Sequence, residues 1–271
     1  MARAKAGLVG NRTLPDGRGL GWVPEPPDHR DYDNLLRDYL PKVGKPRVVI
    51  TEKVSLKAED IPVVRDQSQL GSCTGHGVRG ILTYKVRQMG PQFRKPGYDL
   101  SPLFAYYNGR ELEGSIHEDT GCYIRDVVKQ AFKLGVATEA TCPYNISAFA
   151  RKPSEQAYTT GRWHQLKGGY KACLTADDIL QSIAADIPVV FGYSVFSSHD
   201  SGREGHIPMP SAMDRLEGAH CCWFIDGDPK TRYFKFQNSW SEEYGDKGYY
   251  YLPFDYVDHG YADDIWAGVH E

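Results

Sequence analysis

Apolar residues change their period once along this chain. Between residues 73 and 134 they recur at helical spacing: Val78, Ile81, Leu82, Val86 and Met89 in one segment, Ile124, Val127, Val128 and Ala131 in another. From residue 189 strand patterns take over, at 189–195, 221–225, 233–238 and 249–252. In the third of these Phe234 and Phe236 fall on one face, Lys235 and Gln237 on the other. A helical half followed by a sheet-rich half specifies an α+β fold with a cleft between the halves. The expected boundaries are about 62–155 and about 160–271 within a domain covering 51–271.

Local signals sharpen the helices. Ser72 is the expected N-cap of a helix running from Cys73 to about Met89. Ser101-Pro102 opens a second, through Leu112, and Gly135 ends a third that begins near Ile124. Thr175-Ala176-Asp177-Asp178 is a capping-box type start for a helix reaching about Ala185.

Residues 1–50 hold six of the 17 prolines and six of the 28 glycines. Stretches such as 17–21 and 24–28 exclude helix and central strand, so this part is expected to be an extended arm. Trp22, Val23, Tyr32, Leu35 and Leu36 give it apolar anchors, which suit either a pro-segment gating the cleft or a permanent belt on the fold. No early apolar run has the length of a secretory signal and no stretch approaches eighteen apolar residues, so a cytoplasmic setting and no membrane partner are expected. A formal charge of −3 supplies no basic field, and no nucleic-acid partner is expected. The six cysteines form no C-x-x-C pair, and a chain this long needs no disulfide framework; whether a bridge forms stays open.

The chemistry concentrates first in Gln67-Ser68-Gln69-Leu70-Gly71-Ser72-Cys73. A thiol in the first turn of a helix sits at the positive end of the macrodipole, which favours thiolate. The Cys73 amide has no partner within such a helix and can donate to a developing oxyanion, with the Gln67 side-chain amide as second donor. Acyl transfer on a thiolate also needs an imidazole to share its proton and return it to the leaving amine. His220 opens one expected strand, after Gly218-Ala219, and Asn238 ends the next. An Asn carbonyl can hold one imidazole nitrogen and leave the other facing the thiol, while Trp240 shields that bond from water.

On these pieces the sequence resembles the papain family of cysteine peptidases. The matching motifs are Val64-Arg65-Asp66-Gln67 with Gly71-Ser72-Cys73, then Gly218-Ala219-His220, then Asn238-Ser239-Trp240 through Gly248-Tyr249. Trp22-Val23-Pro24, Asp28-His29-Arg30-Asp31-Tyr32, Tyr106-Tyr107-Asn108-Gly109-Arg110 and Gly121-Cys122-Tyr123-Ile124 extend the likeness to a compact bacterial or phage-associated branch. The resemblance implies two lobes flanking a cleft, a thiol endopeptidase with Cys73 as nucleophile, His220 as base and Asn238 as orienting residue, synthesised as a zymogen. It implies an extended peptide or protein substrate along a strip at Gly121-Cys122, with Tyr123 and Ile124 walling the pocket for the second residue before the cut. Ala219 would tune that pocket towards uncharged, apolar side chains. A monomer without cofactor or metal is expected.

The sequence departs from the family at Leu70, where a cysteine is usual, at Thr74, and at Ser241 and Tyr244, which replace a glycine and a tryptophan. Three rivals stay open. A zinc site could draw on Cys73, His76, His220 and Cys221 or Cys222, but would leave Gln67 and Asn238 unexplained. The fold could serve binding without turnover. A Cys-His acyl transferase is the third, though Asn238 stands where such enzymes carry Asp.

Overall fold

The computed structural model describes residues 13–26, 28–165 and 168–269. The expected absence of a secretory signal concerns residues 1–12, which with Pro27 lie outside the described residues. Seven α-helices occur among those described: α1 (Leu36–Tyr39), α2 (Cys73–Gln88), α3 (Pro102–Glu113), α4 (Ile124–Leu134), α5 (Glu155–Gly161), α6 (Ala176–Ala184) and α7 (Phe254–Asp258). Local chemistry accounts for several starts. Ser101 Oγ accepts the Phe104 N–H at 3.0 Å, and Thr175 with Asp178 closes a reciprocal capping box. No helix among the described residues is long and apolar enough to cross a membrane.

The start of α2 differs from expectation. Ser72 occupies the N-cap position but its hydroxyl is bonded to Tyr144 Oη at 2.6 Å and caps nothing. Nor does α2 carry a single buried stripe. It lies between α3 and the sheet, so almost every residue from Cys73 to Arg87 is buried, while Met89, expected in the stripe, is half exposed. Its polar groups are tolerated there because they are paired: Arg79 Nε donates to Asp99 Oδ1 at 2.6 Å.

One antiparallel sheet of seven strands forms the other half. Its order is β2 (Tyr170–Ala172), β7 (Ala262–Gly268), β3 (Val189–Phe196), β4 (Leu216–Asp228), β5 (Tyr233–Gln237), β6 (Tyr249–Pro253), with β1 (Val54–Ser55) added along the end of β4. The register sets Tyr193 opposite His220 and Trp223 opposite Gln237. Gln237, expected on the face opposite Phe234 and Phe236, is buried there, its amide oxygen accepting from Trp223 Nε1 and its Nε2 donating to the Pro62 carbonyl. Phe191 and Phe224 stack at 3.7 Å in the core of this half.

The arm folds back in a tight turn at 14–18, closed by a Thr13–Gly19 bridge, before it runs extended to residue 26. Residues 29–43 form helical turns, including α1, because Leu36 and Leu40 repeat four apart and are buried towards β2 and α6. Asn34 O accepts the Ala172 N–H at 2.9 Å, fixing this stretch to the sheet edge.

Candidate functional site

The strand β4 carries His220 to the middle of the structure, and Asn238 follows the last residue of β5, its neighbour. His220 Nε2 lies 2.9 Å from Asn238 Oδ1. An amide oxygen only accepts, so the imidazole proton sits on Nε2 and Nδ1 keeps its lone pair. That Nδ1 is buried without a hydrogen-bond partner. Trp240 stacks on the ring at 4.1 Å and 17°, and Tyr193 meets it edge-on. Cys73 is the first residue of α2; the backbone amides of Thr74, of Cys221 and of Gly21 reach its sulfur. Cys221 directly follows His220 on β4, so the same strand that carries the imidazole also approaches the start of α2.

Gln67 is held by both ends of its side chain. Oε1 accepts the Ser239 hydroxyl at 2.6 Å, while Nε2 donates to Leu70 O at 2.9 Å and to Gly19 O at 3.1 Å. A donor aimed by such a clamp loses little entropy when a new acceptor arrives.

The second of those acceptors belongs to the arm, which runs through the site. Gly19 O also takes the Trp240 indole N–H at 2.9 Å. The amides of Gly21 and Trp22 donate to Ala219 O, Cys122 N donates to Gly21 O at 2.9 Å, and Val23 N donates back to Cys122 O at 3.2 Å. The arm thus pairs with Cys122 and Ala219, two of the positions expected to hold a guest chain. Gly121, with φ +70°, lies so close that a Cβ would meet Gly21 O at 2.3 Å. Of the expected pocket walls, Ile124 is fully buried, and the Tyr123 amide is tied to Glu113 Oε1.

Two contacts explain why this path admits only this sequence. A Cβ on Gly21 would lie 1.9 Å from the Gly71 carbonyl oxygen, so the arm crosses the thiol loop with no side chain. One residue on, the Trp22 indole covers Gly192, whose Cβ would sit 2.2 Å from the ring, and its Nε1 donates to Asp264 Oδ2 at 2.9 Å. The Trp22 side chain is thus tied to a buried carboxyl group of β7, which the sequence did not single out. Asp264 also accepts the Glu25 amide at 2.8 Å, and Arg125 binds Glu25 at 2.7 Å and Asp31 at 2.6 Å, fastening the arm beyond the cleft.

Covering the site reverses its expected electrostatics. Cys73 and His220 have no exposed surface. Burial pushes the thiol up to about 12, against the amides that favour its anion. Burial likewise pushes His220 down to about 3, with the Asn238 bond opposing. A thiolate–imidazolium pair was the sequence expectation; with water excluded, the neutral pair is the stable one.

The neighbouring groups are structural. His76 Nδ1 lies 3.1 Å from the Ser72 carbonyl and the ring packs edge-on against Tyr144. Cys221 and Cys222 are both buried, and the Cys122 thiol donates to Glu113 Oε1 at 2.7 Å. All six cysteines are free. Among the described residues no group of three or more His, Cys, Asp or Glu side chains is arranged to hold a metal, so the zinc alternative gains no support. Asp264 escaped sequence reasoning; the pair Asp263-Asp264 inside the apolar run 262–267 was its only signal.

Comparison with known proteins agrees with this architecture. The model of the papain family cysteine proteases matches residues 113–264. A peptidase C1-like protein of Acanthamoeba polyphaga mimivirus, itself uncharacterised, is 29% identical over 273 residues, covering 92% of this chain and 86% of its own length. The crystal structure of xylellain, a cysteine protease from Xylella fastidiosa, is similar with a TM-score of 0.80 at 28% identity, over 98% of this chain and 100% of that one. Procathepsin B S9 from Trypanosoma congolense shares the fold, with a TM-score of 0.63 at 13% identity over 99% and 88% of the two chains.

Proposed function

Because the chain belongs to the papain family of cysteine proteases, we propose that it is an endopeptidase working through a thioester on Cys73, and that its arm is a pro-segment. The observation that carries this reading is the imidazole of His220, anchored at Nε2 by Asn238 with Nδ1 directed to no other partner, beside a thiol at a helix start. In the opened cleft His220 Nδ1 takes the thiol proton and the sulfur attacks the substrate carbonyl carbon. The oxyanion is met by the Gln67 Nε2–H and the Cys73 N–H. The C–N bond then breaks, and the imidazolium gives its proton to the departing amine. Water, deprotonated by His220, attacks the thioester; the C–S bond breaks and the acid leaves. Trp240 keeps the His220–Asn238 bond dry. The acyl half of the substrate lies along Gly121 and Cys122 beside Ala219, and the leaving half passes Trp240.

The arm's own course supports its role. It passes Trp240 first and Cys122 afterwards, so its backbone runs opposite to a substrate bound in that way. Its carbonyls are therefore misdirected for attack, and it blocks the site without being cut. The whole-length likeness to the xylellain and mimivirus chains supports placing this protein in a compact branch of the family.

The test uses the full-length chain with Gly21→Ala, whose methyl group meets the Gly71 backbone and displaces the arm. This variant should hydrolyse a fluorogenic peptide and consume one equivalent of a peptidyl epoxide, and adding Cys73→Ala should abolish both with circular dichroism unchanged. Turnover surviving Cys73→Ala would refute the nucleophile assignment.

A further inference from the structure

Four residues upstream of Trp22 the arm lays a second side chain into the body. The Arg18 guanidinium lies 4.6 Å from the Trp240 ring centroid and 4.5 Å from that of Tyr244. Its Nη2 donates to Asp200 Oδ2 at 2.5 Å, and its Nε to Asp16 Oδ2, within the arm itself, at 2.8 Å. The Arg18 side chain is only 10% exposed.

The body's share of this cage is held largely by the body itself, with the Trp240 indole N–H also bonded to Gly19 O of the arm. Asp200 Oδ1 is fixed by His199 Nδ1 at 2.8 Å and by the Tyr250 hydroxyl at 3.2 Å, which leaves Oδ2 presented to the guest. His199 is itself held by Tyr193 Oη at 3.1 Å. Trp240 is buried by its stacking on His220. Two aromatic faces with an oriented carboxylate between them are what a planar cation selects.

We propose that Asp200, Trp240 and Tyr244 form a subsite for the side chain of an arginine immediately following the cut, so that the enzyme favours peptides carrying arginine there. This rests on the peptidase reading above. The cage shares Trp240 with the histidine that protonates the leaving amine, and Cys122 with Ala219 lies at the other end of the cleft; the cage therefore faces the leaving half of the substrate. Arg18 occupies it while the arm is docked, and a substrate side chain takes its place when the arm departs.

The experiment uses the full-length Gly21→Ala chain, with Trp22→Ala as a second way of freeing the cleft. Internally quenched peptides differ only in the residue after the cut: arginine, its neutral isostere citrulline, alanine or glutamate. We expect kcat/KM for arginine to exceed that for citrulline roughly tenfold, as for a charge-assisted bond that is partly screened. Adding Asp200→Asn should bring the arginine-to-citrulline ratio close to one, and Tyr244→Leu should lower it even if the Asp200 variant fails to fold. Equal rates for arginine and citrulline, or a ratio that survives Asp200→Asn, overturn the subsite. If no peptide is cut, the peptidase reading fails separately. The same peptides, titrated by fluorescence polarisation against the Gly21→Ala, Cys73→Ala chain, then decide the subsite from the ratio of their affinities.

Discussion

Cys73 is placed under two opposed influences. The start of α2 and three converging backbone amides favour its anion, while complete burial favours the thiol, and with the arm docked burial prevails. Linkage turns this into a pH dependence. His220 is pushed from 6.5 down to about 3, so the closed state keeps its full stability above 6.5 and loses it as pH falls towards 3, because opening takes up a proton. Cys73 is pushed from 9.0 up to about 12, so the closed state is fully stable below 9 and weakens as pH rises beyond it. Protection of residues 13–26 against hydrogen exchange, corrected for the intrinsic pH dependence of exchange, should therefore be greatest between about pH 6.5 and 9 and fall below pH 6. Protection that stays constant from neutrality to pH 4 would contradict the closed neutral pair. Gln67→Ala in the opened chain should lower kcat far more than it changes KM, by about 2.7–4 kcal/mol in barrier, measured by steady-state kinetics with folding checked by circular dichroism. Cys73, Gln67, His220 and Asn238 were legible as candidates because each stands in a local motif, and the structure joins His220 to Asn238 and Gln67 to Ser239. Asp200 and Asp264 were not, since one follows β3 and the other lies in β7, and only the assembled sheet brings Asp200 to Arg18 and Asp264 to Trp22 of the arm.

The helix α2 holds the thiol in place, and its anchor is a buried ion pair. Arg79 and Asp99 are almost completely buried; Thr83 Oγ1 adds a bond to Asp99 at 3.2 Å, and Arg79 Nη1 reaches Val63 O at 3.1 Å. Removing one partner strands the other charge, so Asp99→Ala should cost about 3–5 kcal/mol and lower the melting temperature by roughly 6 °C or more. A melt within a degree of wild type would show that the pair is not structural. The longer helices were legible because caps and apolar spacing agree along each of them. The edge strand β2 and its neighbour β7 were not. The first has three residues, and in the second Asp263 and Asp264 interrupt the apolar run while Asp264 adopts φ +50° beside a shift in the β3–β7 register. The missed cap at Ser72 has a comparable cause: a partner 72 residues away, Tyr144, competes for its hydroxyl.

Body and arm together form a self-occluded molecule, and the arm's apolar grip is considerable. Leu20 and Trp22 are both buried, each contributing roughly 1.5–3 kcal/mol, and Arg125 adds ion pairs further along. Trp22→Ala should accordingly raise the activity of the full-length chain on a small fluorogenic peptide several-fold and expose residues 13–26 to hydrogen exchange. Unchanged activity with unchanged exchange would mean that the remaining contacts suffice. The direction in which the arm crosses the cleft has a consequence for how a population of these molecules behaves. A backbone running backwards past the nucleophile cannot be severed by the molecule that carries it, so the first cut must come from a neighbour whose own cleft is momentarily clear. Conversion of a sample would then be second order in protein and self-amplifying. Its time course should show a lag that shortens on concentration and disappears when a trace of already converted protein is added as seed.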